Sequence, residues 1–145
     1  MAIKSMGHIG MVVEDLPAAT EFFVQLGLEL LGEDKVEGDW VGRIIGLDDV
    51  RADIAMLRTP DGHTEVELSK FLSPASPEGD DHTPANAPGL RHISFIVDDI
   101  KTAVADLQAR GTELVGGLEN YRDTYLLCYV RGPEGIIVEL VEKLG

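Results

Sequence analysis

Residues 91 to 100 read RHISFIVDDI. Side chains along an extended strand point alternately to opposite faces, so this segment puts His92 on one side and Ile93, Phe95 and Val97 on the other. The segment from Gly7 to Leu16, GHIGMVVEDL, carries the same pattern at a constant offset. His8 corresponds to His92, Ile9 to Ile93, Val13 to Val97 and Asp15 to Asp99. Two histidines therefore occupy equivalent places in two copies of one unit.

The equivalence extends beyond the strands. Asp15 is suited to cap a helix, Pro17 stands in its first turn where a missing N–H costs nothing, and Leu16, Ala19, Phe22, Phe23 and Leu26 form an apolar stripe. Gly27 ends it. In the second copy Asp99 caps, Ile100, Ala103, Val104 and Leu107 form the stripe, and Gly111 closes the helix. The strands that follow also match, LELLG at 28–32 with TELVG at 112–116. The middles then diverge. The first copy has a short helix through Trp40 to Ile45, capped by Asp39, a strand from Ala52 to Arg58 and a hairpin turn at TPDG. The second has a strand in TYLLCYVRG and a turn at GPEG. Both finish on a strand containing VEL, which pairs Glu67 with Glu139 and sets each opposite in facing to its apolar neighbours.

Each unit reads βαβββ, which predicts an α+β chain with a first module over about 1–71 and a second over about 90–145. Residues 72–89, LSPASPEGDDHTPANAPG, hold four of the seven prolines and no apolar periodicity. This is an ordered loop or a linker, crossing between the halves or reaching a partner chain.

Composition narrows the setting. Twelve basic residues against 26 acidic give a formal charge of -14, which repels nucleic-acid phosphates and anionic lipid. Neither is an expected partner. Acidity serves solubility, and it also draws cations toward the surface. One cysteine, Cys128, makes neither an internal disulfide nor a zinc-finger spacing. No apolar run has the length of a signal peptide core or a membrane span, so a cytoplasmic protein is expected.

The helix-side faces of the two units are apolar, while the opposite faces carry His8, Glu67, His92 and Glu139. Pseudo-twofold pairing of the units would bring these four together. Two imidazoles and two carboxylates suit one divalent transition metal such as Ni, Zn, Mn, Co or Fe, with positions open for water or substrate. Two carboxylates buried together without a cation would cost several kcal/mol or take up a proton. A solvated role for each residue alone is the plainer reading, and the repetition is what favours ligands. Met56 and Arg58 share one strand face, as do Tyr125, Leu127 and Tyr129, so these five are candidates to line a substrate cleft. His63 and His82 fall in turn and loop contexts and are expected to be solvated, and Cys128 is expected to be a buried apolar residue.

GHIGMVVEDL, PDGHTEVEL, GLRHISFIVDDI and RGPEGIIVEL together resemble the vicinal oxygen chelate superfamily, which holds glyoxalase I, methylmalonyl-CoA epimerase, extradiol dioxygenases and the bleomycin and fosfomycin resistance proteins. The resemblance covers nearly the whole chain. It implies paired βαβββ modules closing a U-shaped cleft around a metal, commonly in a homodimer, and carries the metal positions onto His8, Glu67, His92 and Glu139. By the same resemblance a substrate binds the metal through adjacent oxygens, an enediolate is stabilised, and a glutamate moves the proton, Glu139 as first candidate and Glu67 as second.

Within the superfamily, two histidines and two glutamates look like the glyoxalase I pattern of lyases and isomerases acting on a small molecule. Gly32 to Trp40, GEDKVEGDW, is acidic where that pattern places basic and amide groups for glutathione. An epimerase-like isomerase shares GLRHISFIVDDI but is expected to have glutamine where this chain has Glu67. Extradiol dioxygenases use two histidines and one glutamate on iron. A metal-free module that sequesters cationic drugs would not need the quartet.

Overall fold

A computed structural model describes residues 2–145; Met1, from which the first module is counted, lies outside the described residues. The chain divides into two compact units, the first ending at Glu78 and the second running from Gly79 to Gly145. Both mix helix and sheet, giving the α+β class the repeat predicts.

In the first unit the order is β1 (His8–Val12), α1 (Leu16–Leu26), β2 (Glu29–Glu37), α2 (Asp39–Ile45), β3 (Arg51–Arg58) and β4 (Glu65–Ser73). The sheet runs β1-β4-β3-β2, with β1 parallel to β4 and the other pairs antiparallel. Asp15 accepts a hydrogen bond from the Ala18 amide at 3.0 Å, which satisfies one of the orphan donors at the start of α1. At the other end Gly27 adopts φ 125°, a conformation few side chains tolerate, and its N–H closes onto Phe23 and Val24. Phe23 and Ala19 on this helix, Leu57 on β3, and Val66 and Leu68 on β4 are fully buried and make the core. Burying each of the larger ones stabilises the unit by about 1.5–3 kcal/mol.

The second unit repeats this plan as β5 (His92–Ile96), α3 (Ile100–Ala109), β6 (Glu113–Leu114), β7 (Glu119–Tyr121), β8 (Tyr125–Arg131) and β9 (Ile137–Lys143), with one 3-10 turn at Pro133–Gly135. Its sheet is β5-β9-β8-β6, and β7 also pairs with β8. Asp99 caps α3 by accepting from the Thr102 amide at 3.1 Å and the Thr102 hydroxyl at 2.9 Å. These two bonds, the amide one foremost, hold its carboxyl below the usual range. Ile100, Val104 and Leu107 of α3 are buried, as are Val130, Val138 and Leu140 of the sheet.

Three details depart from the sequence reading. Asp39 opens α2 as its first residue; the cap is Gly38, which makes no side-chain bond. The strand expected at 28–32 continues to Glu37. Its counterpart expected over 112–116 is cut to Glu113–Leu114 and resumes as β7, because Gly116 and Gly117 carry no side chains to hold an extended register. Both pieces pair with the same strand, β8, so together they stand where β2 stands in the first unit.

The inter-module segment is seated against the second unit near its middle, at residues 81–83. Arg131 Nη1 donates to the Thr83 carbonyl at 2.7 Å and to the Gly135 carbonyl at 3.1 Å. Gly135, at φ 83°, lies so close to the Asp81 backbone that a Cβ there would collide with it.

Candidate metal centre

In the first unit β1 and β4 run parallel with His8 opposite Glu65, so Glu67 stands two residues along on the same face. That offset lets the imidazole lean toward the carboxylate, and His8 Nε2 comes to 3.5 Å from Glu67 Oε2. Two donors each about 2.1 Å from one ion stand roughly 3.0–3.4 Å apart, so the pair fits a shared coordination sphere with little movement. The donor chemistry fits as well, neutral nitrogen beside anionic oxygen. His8 is 46% exposed and Glu67 27%, which leaves a path for an ion to enter.

Glu67 is held from behind. Ser69 Oγ donates to Glu67 Oε1 at 3.2 Å, and Ser69 is one of only two polar residues buried among the described core positions. This contact engages Oε1 and leaves Oε2 for His8. Met56 lies directly across from Glu67 on β3. Arg58, across from Glu65, donates from Nη2 to Glu29 Oε2 at 3.2 Å. Its charge is therefore engaged on its own sheet.

The second unit reproduces the register. His92 pairs with Ile137 across β5 and β9, so Glu139 again stands two residues along. Tyr129 on β8 lies directly across from Glu139, Leu127 across from Val141 and Tyr125 across from Lys143. The phenol of Tyr129 reaches over β9, placing Oη 3.3 Å from His92 Nδ1, with the two rings 4.9 Å apart and tilted by 37°. Val12 and Ile96, at the same place on β1 and β5, are more than half exposed and add apolar surface beside the two histidines.

Cys128 points the other way into the core of its unit. Burial, reinforced by the charge of Glu139, pushes its thiol above the ordinary value. It is a packing residue without the low-pKa character of a nucleophile. His82 is exposed, its Nδ1 2.6 Å from Asp81 Oδ1. With Asp80 these make a solvent-facing group on the loop. His63 is in the turn that joins β3 to β4, its amide bonded to Asp61.

The sequence alone does not point to Ser69 as a partner of Glu67, nor to a contact between Tyr129 and His92. Period-two spacing does place Ser69 on the face of Glu67. The tyrosine contact spans three strands and needs the strand order.

The glyoxalase/bleomycin resistance protein/dioxygenase superfamily model matches residues 7–129. Among solved structures, a glyoxalase family protein from Bacillus cereus is 43% identical, aligns over 100% of this chain and 97% of its own, and superposes with a TM-score of 0.97. The uncharacterized protein YaeR of Escherichia coli (strain K12) is 29% identical over 99% of both chains. TnmS3, an antibiotic binding protein from Streptomyces sp. CB03234, is 21% identical over 99% of this chain and 98% of its own, with a TM-score of 0.63, a likeness of fold.

Proposed function

Because this chain belongs to the glyoxalase/bleomycin resistance protein/dioxygenase superfamily, we propose that it is a metal-dependent lyase or isomerase of glyoxalase I type acting on a small oxygenated metabolite. Its ligands are His8, Glu67, His92 and Glu139, and the ion is one of Ni, Zn, Mn, Co or Fe. The observation that carries this reading is the 3.5 Å approach of His8 Nε2 to Glu67 Oε2, set in a register that β5 and β9 repeat for His92 and Glu139. We also propose a cytoplasmic homodimer. Among the described residues, no helix is long and apolar enough to cross a membrane.

When bound, such an ion supplies Lewis acidity, lowering the energy of negative charge that develops on two adjacent substrate oxygens. The protein's part is to hold the substrate and move one proton. Glu139 is the base: it removes a proton from the carbon next to a carbonyl and returns it to the neighbouring atom. Its freedom supports that choice. Glu67 is fixed by the Ser69 hydroxyl, whereas Glu139 has no hydrogen-bond partner among the described residues, so its carboxylate can swing between positions. Met56 and Val12 on the histidine-bearing face of the first sheet, and Tyr125, Leu127 and Ile96 on that of the second, would supply aromatic and apolar surface to keep water from the carbanionic carbon. The acidic stretch of β2 disfavours glutathione carboxylates, and directs the choice toward substrates without that burden.

A second reading is sequestration of a drug-like molecule without chemistry. The same apolar and aromatic lining supports it, and TnmS3 shows that this fold serves antibiotic binding. Metal analysis of purified protein separates the two, because a sequestering module needs no stoichiometric ion. A turnover screen of hemithioacetals, CoA-ester epimers and catechols with each metal restored then distinguishes glyoxalase-like, epimerase-like and dioxygenase-like activity.

A further inference from the structure

The two half-sites are built alike in backbone and differently in what stands behind the histidine. Facing Glu67 across the sheet is Met56; facing Glu139 is Tyr129. Only the second position supplies a hydroxyl. Tyr129 is long enough to cross β9, and its Oη stands 3.3 Å from His92 Nδ1. His8 instead meets its glutamate through Nε2.

A neutral imidazole carries one proton on one of its two nitrogens. If Nε2 is to bind a cation, the proton must be on Nδ1, and on a ring as exposed as His92 a protein acceptor is what fixes that N–H in place of freely exchanging water. Tyr129 Oη is in place to be that acceptor. We propose that Tyr129 is a positioning residue for His92: its phenol oxygen accepts from Nδ1–H, fixing the ring plane and the tautomer so that Nε2 faces the ion. This rests on His92 being a metal ligand. The phenol keeps its own proton, so it can donate onward to a substrate oxygen while holding the ring. Among the described residues no hydroxyl stands in the equivalent place behind His8, where Met56 faces Glu67.

Tyr129→Phe keeps the ring and its packing against the imidazole and removes only the hydroxyl. Partners of this kind are worth roughly 10–100-fold in metal affinity. The test is a Co(II) titration of the full-length wild type, Tyr129→Phe and His92→Ala, followed by the visible absorption of bound cobalt, with 15N NMR of the His92 ring in wild type and Tyr129→Phe before and after metal. The expected result is tight binding by wild type, weakening of about 10–100-fold in Tyr129→Phe with an altered cobalt spectrum, and loss of the single protonated Nδ1 state of the loaded wild type. Equal affinity, an unchanged spectrum and identical ring 15N shifts in Tyr129→Phe would overturn the role of Tyr129 and leave the metal site standing. Failure of the wild type to bind cobalt, or full binding by His92→Ala, would overturn the metal assignment and the role of Tyr129 with it.

Discussion

In the proposed site the buried hydroxyl of Ser69 is what would divide labour between two otherwise equivalent glutamates. It engages one oxygen of Glu67, and no such tether to Glu139 is present among the described residues, which in the proposed site would leave Glu67 the fixed donor and Glu139 the mobile one. Ser69→Ala should therefore loosen Glu67 and weaken metal binding by roughly 10-fold, read by calorimetric titration, while circular dichroism stays that of the wild type. Cys128 supplies a pH test. Its thiol is raised by burial first and by Glu139 second. A group with a raised folded-state value contributes its stability in full below the unfolded value, about 8.5, and loses it as pH rises through the folded one. Urea midpoints should fall as pH climbs above about 8.5, and Cys128→Ala should flatten that part of the profile. The histidines and glutamates stand out as candidates in the sequence because each occurs twice in the same setting. The braces do not, since Ser two residues from Glu is common on strands and the Tyr129 contact depends on β9 lying between β8 and β5.

At the level of elements, what could be read was what burial and capping dictate. α1 and α3 show an acidic cap, an apolar stripe and a terminal glycine, and both formed where those signals lie. β1 and β5 alternate and formed as expected. β2 was foreseen only in its first residues because it is an edge strand, nearly all exposed, held by backbone pairing to β3 with no burial pattern for sequence to display. β7 is exposed throughout for the same reason. The turn at Pro133–Gly135 carries its own prediction. Gly135 stands at positive φ against the Asp81 backbone, so Gly135→Ala must strain the turn and push the 80–83 segment off its seat. A loss of about 1–3 kcal/mol in urea denaturation is expected, with faster amide exchange at 81–83.

On the scale of the whole molecule, duplication supports the proposed chemistry better than any single motif does. One βαβββ plan used twice yields two sheets, each presenting a histidine on its first strand and a glutamate two residues along on the partner strand. A chain with formal charge -14 also attracts cations over longer distances, an effect that salt weakens. The fold is shared by proteins with different activities, so the donors decide the function and the fold does not. The most direct measurement is the metal content of protein purified without added chelator, by elemental analysis, for the wild type, His92→Ala and Glu139→Ala. The account predicts about one divalent transition ion per chain in the wild type, with both variants depleted and inactive. Metal-free wild type that cannot be loaded, or full occupancy in either variant, would contradict it.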